Sequence, residues 1–457
     1  MKIPLATSLR GELAVPGDKS ISHRSVMLGA IAKGDTEVRG FLKSADCLAT
    51  IECMRQMGVE IEEVKEENRY TGRQESVLVI HGKGLYGLSE PMGTLDAMNS
   101  GTTVRLLSGI LAGQPFTTYI TGDSSLRKRP MKRIITPLAQ MGCRIEAENK
   151  NNCLPLEIHG DRLHAIHYSS SIASAQVKSC VLLAGLYADG PTTFFEPYLS
   201  RNHTELMLSA FGANVKAKVD PLTMQPGAII YPGTDLRGQK IRVPGDISSA
   251  AYFIAGGLIV PNSEVHLHSV GINETRDGIL RVAKAMGGNV ITRNIRMEGR
   301  EPVADIIVKT SDLKGTNIGG SLIPALIDEL PVIAIMAACA KGDTQIYDAG
   351  ELRVKESDRL TAIVMNLQKM GVGVEETEDG MVIHGNGGKK QTGRRTPGKL
   401  GYFRGATIDS QGDHRLAMAF SIAGLISDTQ MDIRNAECVK ISYPSFYRDI
   451  ARLASPF

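Results

Sequence analysis

The chain has 457 residues, of which 42% are hydrophobic and 22% are charged, and its formal net charge at pH 7 is +3. This length predicts a folded protein of about two or three domains. The small net charge excludes the bulk positive field that non-specific nucleic-acid binding requires, so any anion-binding site must be local.

The cellular location is predicted from the cysteines and from the start of the chain. Seven cysteines are scattered without a C-x-x-C pair, which is typical of reduced thiols in a cytosol. The N-terminal segment lacks the apolar core of a signal peptide, and no apolar run reaches the roughly 20 residues needed to span a bilayer. We therefore expect a cytoplasmic protein with no membrane or nucleic-acid partner, and we expect a monomer.

The elements predicted along the chain form an internal repeat. Val15-Pro16-Gly17-Asp18 opens an apolar, helix-like stretch, and Val243-Pro244-Gly245-Asp246 opens another. Six such stretches occur, each followed by a turn and an alternating strand, and their period of about 70 to 85 residues predicts six βαβαββ units. They begin near Gly17, Gly101, Ser171, Gly245, Asp328 and Gly412.

A second helix in each of the first five units is predicted to end at an apolar residue followed by glycine. Glycine at that position suits a helix C-terminal cap. The five pairs are Met57-Gly58, Met141-Gly142, Phe211-Gly212, Met286-Gly287 and Met370-Gly371. The sixth copy, from Ser442 onward, lacks the glycine and is predicted to be a truncated terminal unit.

Two domains of three units each are favoured over a solenoid, because a two-helix repeat of more than about 50 residues is too large for most solenoids. We expect the chain to cross between the domains near residues 13–17 and 239–245. One domain is then discontinuous, residues 1–15 plus 242–457, and the other, residues 16–241, is inserted into it. The basic stretch 386–401 is predicted to be a solvated loop.

Polar and cationic residues recur where helices are predicted to start, and the first N–H groups of a helix attract anions. Lys19, Ser20 and Arg24 follow Gly17-Asp18, and Arg105 follows Asn99-Ser100-Gly101. Arg129 ends a run of three cations, and a Ser-rich segment, 169–176, precedes the next helix. An ordinary capped helix or charged turn would explain each of these motifs taken singly.

The C-terminal half repeats the pattern and adds carboxylates. Lys355 and Arg359 share one helical face, and Arg415 follows Asp413, a candidate cap. Asp328-Glu329 lies in the apolar stretch from Leu322 to Ala340, where partial burial of a carboxylate would raise its pKa and suit it to proton transfer. If all these helix starts face one cleft, the ligands should be two polyanions.

Other familiar motifs are rejected. The G-x-G-x-x-G at 82–87 does not open a dinucleotide-binding helix, and Gly17-Asp18-Lys19-Ser20 lacks the upstream glycine of a P-loop. His266 and His268 have no third ligand nearby, so neither a metal nor a cofactor is predicted.

Six motifs together resemble the 5-enolpyruvylshikimate 3-phosphate synthase family over essentially the whole chain. They are PGDKSISHR at 16–24, NSGTTVR at 99–105, KRPM at 128–131, SIASAQ at 171–176, ELRVKESDR at 351–359 and DHRLAMAF at 413–420. The resemblance implies an α/β fold of two inverse α/β barrels with an active site in the interdomain cleft. It also implies transfer of the enolpyruvyl group of phosphoenolpyruvate to the 5-hydroxyl of shikimate 3-phosphate, on the shikimate pathway to chorismate and the aromatic amino acids.

The resemblance also implies the ligands of each substrate. Those of shikimate 3-phosphate are Lys19, Ser20, Arg24, Ser174, Ala175, Gln176, Arg201, Asp328 and Lys355. Those of phosphoenolpyruvate are Lys19, Gly101, Arg129, Gln176, Arg359, Arg415 and Lys440, although Lys440 is displaced by about one position from the family pattern. Leu106 stands where the family often has proline, which leaves sensitivity to glyphosate open.

The reaction needs a base at the acceptor hydroxyl and an acid at C3 of the enol phosphate. Lys19, Asp328 and Glu356 are the implied catalytic residues. We expect Asp328 to take the hydroxyl proton, Glu356 to protonate C3 and Lys19 to stabilise the departing phosphate, although the two carboxylates could exchange roles. Closure of the cleft on two anions is also expected.

Two other functions remain open from the sequence. A transferase acting on UDP-N-acetylglucosamine would share the fold and donor, but it typically has asparagine after the first lysine and a reactive loop cysteine. This chain has Ser20 and no cysteine between residues 101 and 142. A non-catalytic anion-binding module would need the cations but not the pair of carboxylates.

Overall fold

The computed structural model describes residues 1–67, 74–148, 151–387 and 402–456. Two compact units divide the chain: one comprises residues 1–16, 245–296 and 302–457, and the other comprises residues 17–244 and 297–301. Each unit has its own hydrophobic core. Most of the basic loop predicted at 386–401 lies outside the described residues.

Twelve α-helices occur in the described part of the chain. They are α1 (Lys19–Ala30), α2 (Ala45–Gln56), α3 (Gly101–Leu111), α4 (Lys132–Gln140), α5 (Ala175–Gly185), α6 (His203–Ala210), α7 (Ile247–Ile259), α8 (Gly278–Ala285), α9 (Leu330–Cys339), α10 (Arg359–Lys369), α11 (His414–Gly424) and α12 (Phe446–Leu453). Short 3₁₀ helices occupy Leu126–Lys128, Gly320–Ala325, Gly350–Val354 and Ala436–Ile441.

The strands of the first half precede, separate and follow helices α1 to α6. They are β1 (Lys2–Ile3), β2 (Ala6–Leu13), β3 (Lys33–Arg39), β4 (Glu60–Glu67), β5 (Gln74–Lys83), β6 (Leu95–Asp96), β7 (Thr117–Thr121), β8 (Arg144–Ala147), β9 (Leu156–His159), β10 (His167–Ser169), β11 (Thr192–Phe195), β12 (Asn214–Val219), β13 (Pro226–Tyr231) and β14 (Lys240–Arg242).

The strands of the second half follow the same plan. They are β15 (Glu264–Gly271), β16 (Asn289–Glu298), β17 (Glu301–Lys309), β18 (Asn317–Ile318), β19 (Lys341–Ile346), β20 (Gly373–Glu376), β21 (Met381–Asn386), β22 (Thr407–Asp409), β23 (Met431–Arg434) and β24 (Ala454–Pro456).

The repeat is visible in the sheets. Four sheets have the orders β14-β3-β5-β4, β6-β7-β9-β8, β10-β11-β13-β12 and β18-β19-β21-β20. In each of them the first pair is parallel and the other two are antiparallel. The other two sheets are β16-β17-β15-β2-β24 and β1-β23-β22. The predicted α/β class is confirmed. The sheet of the terminal repeat, β1-β23-β22, has three strands instead of four.

The first helix of each repeat is a core helix and the second is an outer one. Every residue of α7, α9 and α11 is buried, and these three helices contact one another. Helices α1, α3 and α5 are nearly as buried in the other unit. A helix that is apolar all round must be covered on every side. The polar motifs at the first helix of each repeat therefore lie at the starts of the most buried helices, whereas Arg129, Arg201 and Arg359 lie at or just before the starts of outer helices.

The predicted glycine caps are confirmed. The five glycines that follow α2, α4, α6, α8 and α10 all have positive φ, between 80° and 99°, where a residue with a side chain is strained. They are Gly58, Gly142, Gly212, Gly287 and Gly371.

Candidate active site

Lys19 is the first residue of α1, which Asp18 caps by accepting a hydrogen bond from the Ile21 amide at 2.9 Å. The ammonium of Lys19 forms an ion pair with Asp46 of α2, and the two side chains are only 18% and 7% exposed. A shielded ion pair at a helix start places a positive charge where backbone N–H groups already favour an anion.

Arg24 joins the first motif to the third repeat. Its guanidinium, on a residue only 4% exposed, donates from Nε to Thr204 Oγ1 at 2.7 Å and from Nη2 to Ser179 Oγ at 2.8 Å. It also donates from Nη1 to the Ser20 carbonyl at 3.0 Å. Because Ser179 lies on α5, these contacts bring two of the predicted shikimate 3-phosphate segments together within one unit.

Gln176 joins the SIASAQ motif of the third repeat to the NSGTTVR motif of the second. Its Oε1 accepts a hydrogen bond from Arg105 Nη1 at 2.6 Å, and its Nε2 donates to Thr102 Oγ1 at 3.1 Å. Ser174, just before it, caps α5 through the Val177 amide. The starts of α3 and α5 are therefore joined by side chains of the predicted site.

Gly101 lies against two arginines. A Cβ atom added there would be 3.1 Å from Arg105 Nη1 and 3.6 Å from Arg129 Nη1. Arg129 itself donates to Asn99 Oδ1 at 2.9 Å. Three of the predicted anion-binding positions of this unit are thus adjacent.

The other unit gathers the predicted carboxylates on one arginine. Arg359, whose side chain is 1% exposed, donates from Nε to Asp413 Oδ2 at 2.7 Å and from Nη1 to Asp328 Oδ1 at 3.2 Å. Its Nη2 donates to Glu356. Burial disfavours the charged form, but Asp413, Glu356 and Asp328 outweigh this effect and raise the pKa of Arg359, which stays charged.

Arg415 lies beside the same carboxylates. Its guanidinium is 4.0 Å from Asp328 Oδ2 and 4.0 Å from Glu329 Oε1. Burial opposes its charge, but Tyr252 and the neighbouring carboxylates outweigh this effect and raise its pKa. Asp413 caps α11, as predicted, by accepting from the Arg415 amide at 2.8 Å. Two permanent cations therefore converge on Asp328, whose side chain is 16% exposed.

Residues 5–450 match the family described as EPSP synthase (3-phosphoshikimate 1-carboxyvinyltransferase). The chain belongs to the EPSP synthase family. It is 52% identical over 440 residues to the 3-phosphoshikimate 1-carboxyvinyltransferase of Thermoanaerobacter sp. (strain X514), with 96% of each chain covered. It is 48% identical over 454 residues to the enzyme of the same name from Brevibacillus brevis, covering 99% of this chain and 100% of the relative. The predicted family is confirmed.

Solved structures agree with the EPSP synthase assignment. The EPSP synthase from Acinetobacter baumannii is 43% identical and superposes with a TM-score of 0.83, covering 99% of this chain and 98% of that one. The enolpyruvyl transferase NikO from Streptomyces tendae has a TM-score of 0.75 at 15% identity, covering 99% of this chain and 97% of that one, which shows the fold alone.

Of the other predicted site residues, Ala175, Arg201 and Lys355 lie close in sequence to elements of the site, whereas Lys440 is largely exposed. Ala175 opens α5, and Arg201 lies two residues before the start of α6. Lys355 adjoins Glu356 and lies before α10, which begins at Arg359, so the prediction that Lys355 and Arg359 share a helical face is wrong. Lys440 is two-thirds exposed and pairs with Glu437 at 2.6 Å. In the described ranges no contact joins Lys440 to the Arg359 cluster, so its part in this EPSP synthase family site stays a prediction.

Several partners of the site were not among the predicted residues of this EPSP synthase family member. Asp46 pairs with Lys19, and Glu329 lies beside Arg415. The apolar stretch around Asp328-Glu329 indicates both carboxylates, but only Asp328 is given a role in the site by the sequence. Asp46 has no local signal, because its partner is 27 residues away in sequence.

The described ranges contain neither a cluster of metal ligands nor a helix able to span a membrane. There, no group of three or more His, Cys, Asp or Glu side chains has an arrangement that could hold a metal ion. No described helix is both long enough and apolar enough to cross a bilayer.

Proposed function

We propose that this EPSP synthase family member transfers the enolpyruvyl group of phosphoenolpyruvate to the 5-hydroxyl of shikimate 3-phosphate and releases phosphate. The observation that carries the proposal is the placement of Asp328 and Glu356 on one buried guanidinium, that of Arg359. Two carboxylates held a short distance apart can move the two protons that the reaction requires.

The chemistry is an addition followed by an elimination. Asp328 takes the proton of the 5-hydroxyl while the hydroxyl oxygen forms a bond to C2 of phosphoenolpyruvate. Glu356 gives a proton to C3. The resulting tetrahedral intermediate then loses a proton from C3 and expels phosphate, whose negative charge Lys19 stabilises. The described contacts serve equally if the two carboxylates exchange roles.

The charges of the substrates determine what the site must provide. Phosphoenolpyruvate brings a phosphate and a carboxylate, and arginine forks bind such groups in a bidentate manner. We assign Arg129, Arg359 and Arg415 to that substrate, together with Lys19, Gly101, Gln176 and Lys440. Shikimate 3-phosphate is assigned to Lys19, Ser20, Arg24, Ser174, Ala175, Gln176, Arg201, Asp328 and Lys355.

Lys19 and Asp328 belong to different compact units. The proposal therefore requires residues of both units to act on the same pair of substrates, as the interdomain cleft expected from the sequence would allow. The predicted boundaries, 1–15 plus 242–457 and 16–241, and the cleft itself are part of the proposal, as are cytoplasmic location and the monomeric state.

The experiment is phosphate release from phosphoenolpyruvate by the purified protein without added metal. The acceptor is either shikimate 3-phosphate or UDP-N-acetylglucosamine. We expect release with shikimate 3-phosphate alone. Release with the nucleotide sugar alone would overturn the acceptor, and no release with either would favour a module that binds anions without catalysis.

A further inference from the structure

Lys178 lies in the core of its unit, four residues after the cap of α5. Its side chain is 0% exposed, yet its ammonium has three partners. It donates to Glu196 Oε1 at 2.9 Å and to the Ser200 carbonyl at 3.0 Å, and it pairs with Glu205 Oε1 at 2.8 Å. All three donors of the ammonium are therefore used.

Glu196 is equally buried and binds two separate segments of backbone. Its Oε1 accepts from the Ser200 amide at 2.8 Å and from the Ser200 hydroxyl at 2.8 Å. Its Oε2 accepts from the Ser174 amide at 3.2 Å. One carboxylate thus joins the start of α5 to the segment before α6.

These two segments carry four of the seven residues of this unit that are assigned to shikimate 3-phosphate. Ser174 is followed directly by Ala175 and Gln176, and Ser200 is followed directly by Arg201. Neither Lys178 nor Glu196 reaches solvent, so neither is placed to bind a substrate. Their role toward a ligand is therefore indirect.

A buried ion pair is a weak means of stabilising a fold, because desolvation of the charges offsets much of their attraction. The pair here is accompanied by hydrogen bonds to backbone groups, whose positions it determines. Burial opposes the charge of Lys178, but Glu205 and Glu196 outweigh this effect and raise its pKa, so the ammonium stays protonated.

We propose that Lys178 and Glu196 are positioning residues, which hold Ser174 and Ser200 so that the segments following them fit the phosphate and hydroxyls of shikimate 3-phosphate. This inference rests on the proposed function. It adds two buried residues, neither of which contacts substrate, to the part of the site that is assigned to shikimate 3-phosphate.

The test compares Glu196→Gln with Glu205→Gln. Glutamine at 196 puts an amide NH₂ in place of one carboxylate oxygen, so Ser174 or Ser200 loses its acceptor. Glutamine at 205 removes the negative charge of a second carboxylate that pairs with Lys178. Within the described part of the chain, however, Glu205 has no bond to Ser174 or Ser200. Both variants keep the side-chain volume.

We expect Glu196→Gln to raise the KM for shikimate 3-phosphate about tenfold or more, as loss of a charge-assisted hydrogen bond would, with the KM for phosphoenolpyruvate and kcat within about threefold. Glu205→Gln should leave all three values within about threefold. Equal effects of the two variants, or equal effects on both KM values, would overturn the proposal.

Ser200→Ala is the second variant, in case Glu196→Gln does not fold. It removes only the hydroxyl donor to Glu196 and leaves no buried charge without a partner. A smaller rise confined to the same KM, about fivefold, is expected, and a KM for shikimate 3-phosphate that stays within about threefold would contradict the proposal. Wild-type protein that releases no phosphate with shikimate 3-phosphate would instead refute the proposed function.

Discussion

Arg359 illustrates how one residue determines the geometry of several others. Its three nitrogens point to three carboxylates, those of Asp413, Asp328 and Glu356. The planar guanidinium fixes the directions of these contacts, which a lysine ammonium on a flexible stem would not do. The relative placement of Asp328 and Glu356 therefore depends on a residue that is itself 1% exposed.

Lys19 gives the sharpest test at the scale of single residues. Lys19→Ala should lower kcat/KM at least about 100-fold, because it removes the charge that stabilises the departing phosphate. It should also destabilise the fold, because Asp46, 7% exposed, loses its ion-pair partner. Steady-state kinetics and urea denaturation measure the two effects.

A second substitution separates these effects. Lys19→Ala/Asp46→Asn should recover stability, because the buried charge is gone, without recovering activity. Lys33→Ala is the matched control, because Lys33 forms a surface ion pair with Asp235 and is 65% exposed. Near-normal turnover in Lys19→Ala would show that Lys19 has no role in the chemistry.

Helices are the elements that bring the motifs together. The core helices of each unit carry polar residues at their starts, where caps such as Asp18, Ser100 and Ser174 satisfy first-turn amides. The outer helices of the first five repeats end at glycines with positive φ, and a strand follows each of them. The same supersecondary unit thus recurs, with different polar residues at the first turn of its core helix.

Gly287 tests the cap that ends an outer helix. Its φ is +82°, and the nearest atom to an added Cβ would be 4.0 Å away, so Gly287→Ala creates strain without a collision. We expect a loss of about 1 to 2 kcal/mol in the free energy of unfolding, measured by urea denaturation. Gly93→Ala is the control, because nothing lies within 4 Å of its added Cβ and its φ is not in the positive region. Equal stability of the two variants would refute the strain argument.

The two units with their separate cores bury ionisable groups whose titration affects the stability of the whole molecule. His23 is 0% exposed and accepts or donates a hydrogen bond with Thr50 Oγ1 at 2.7 Å. Burial, followed by the charges of Lys19 and Arg24, lowers the pKa of His23 well below 6.5. The folded state therefore keeps this imidazole neutral where the unfolded chain takes up a proton.

The sign of the pH effect follows from this difference. Below about pH 6.5 the unfolded state binds one more proton at His23, so stability falls as the pH is lowered. We expect His23→Gln to lose less free energy of unfolding than wild type between pH 7.5 and 5.5, measured in urea. His384→Gln is the control variant. The hydrogen bond between His384 and Asp343 raises the pKa of His384, so this histidine stabilises the fold at low pH. A drop in His23→Gln as large as in wild type would contradict the assignment.

Patterns within the sequence determined the α/β class, the six repeats, the glycine caps and the family. Each of these depends on residues close together in the chain, whose spacing follows from helix and strand geometry. The chain also presented its cations and hydroxyls at helix starts, so most candidate ligands could be named from local motifs alone.

Only the tertiary structure decided how those residues are partnered. Asp46 contacts Lys19, Glu196 contacts Ser174, and Arg359 contacts Asp413. The partners are 22 residues apart in the second pair and 54 in the third. Such contacts arise when elements that are distant along the chain pack together, so no local spacing of residues indicates them. The buried groups that orient the site can therefore be identified only from the packing of the folded chain. The groups assigned to the substrates can be identified from local sequence motifs.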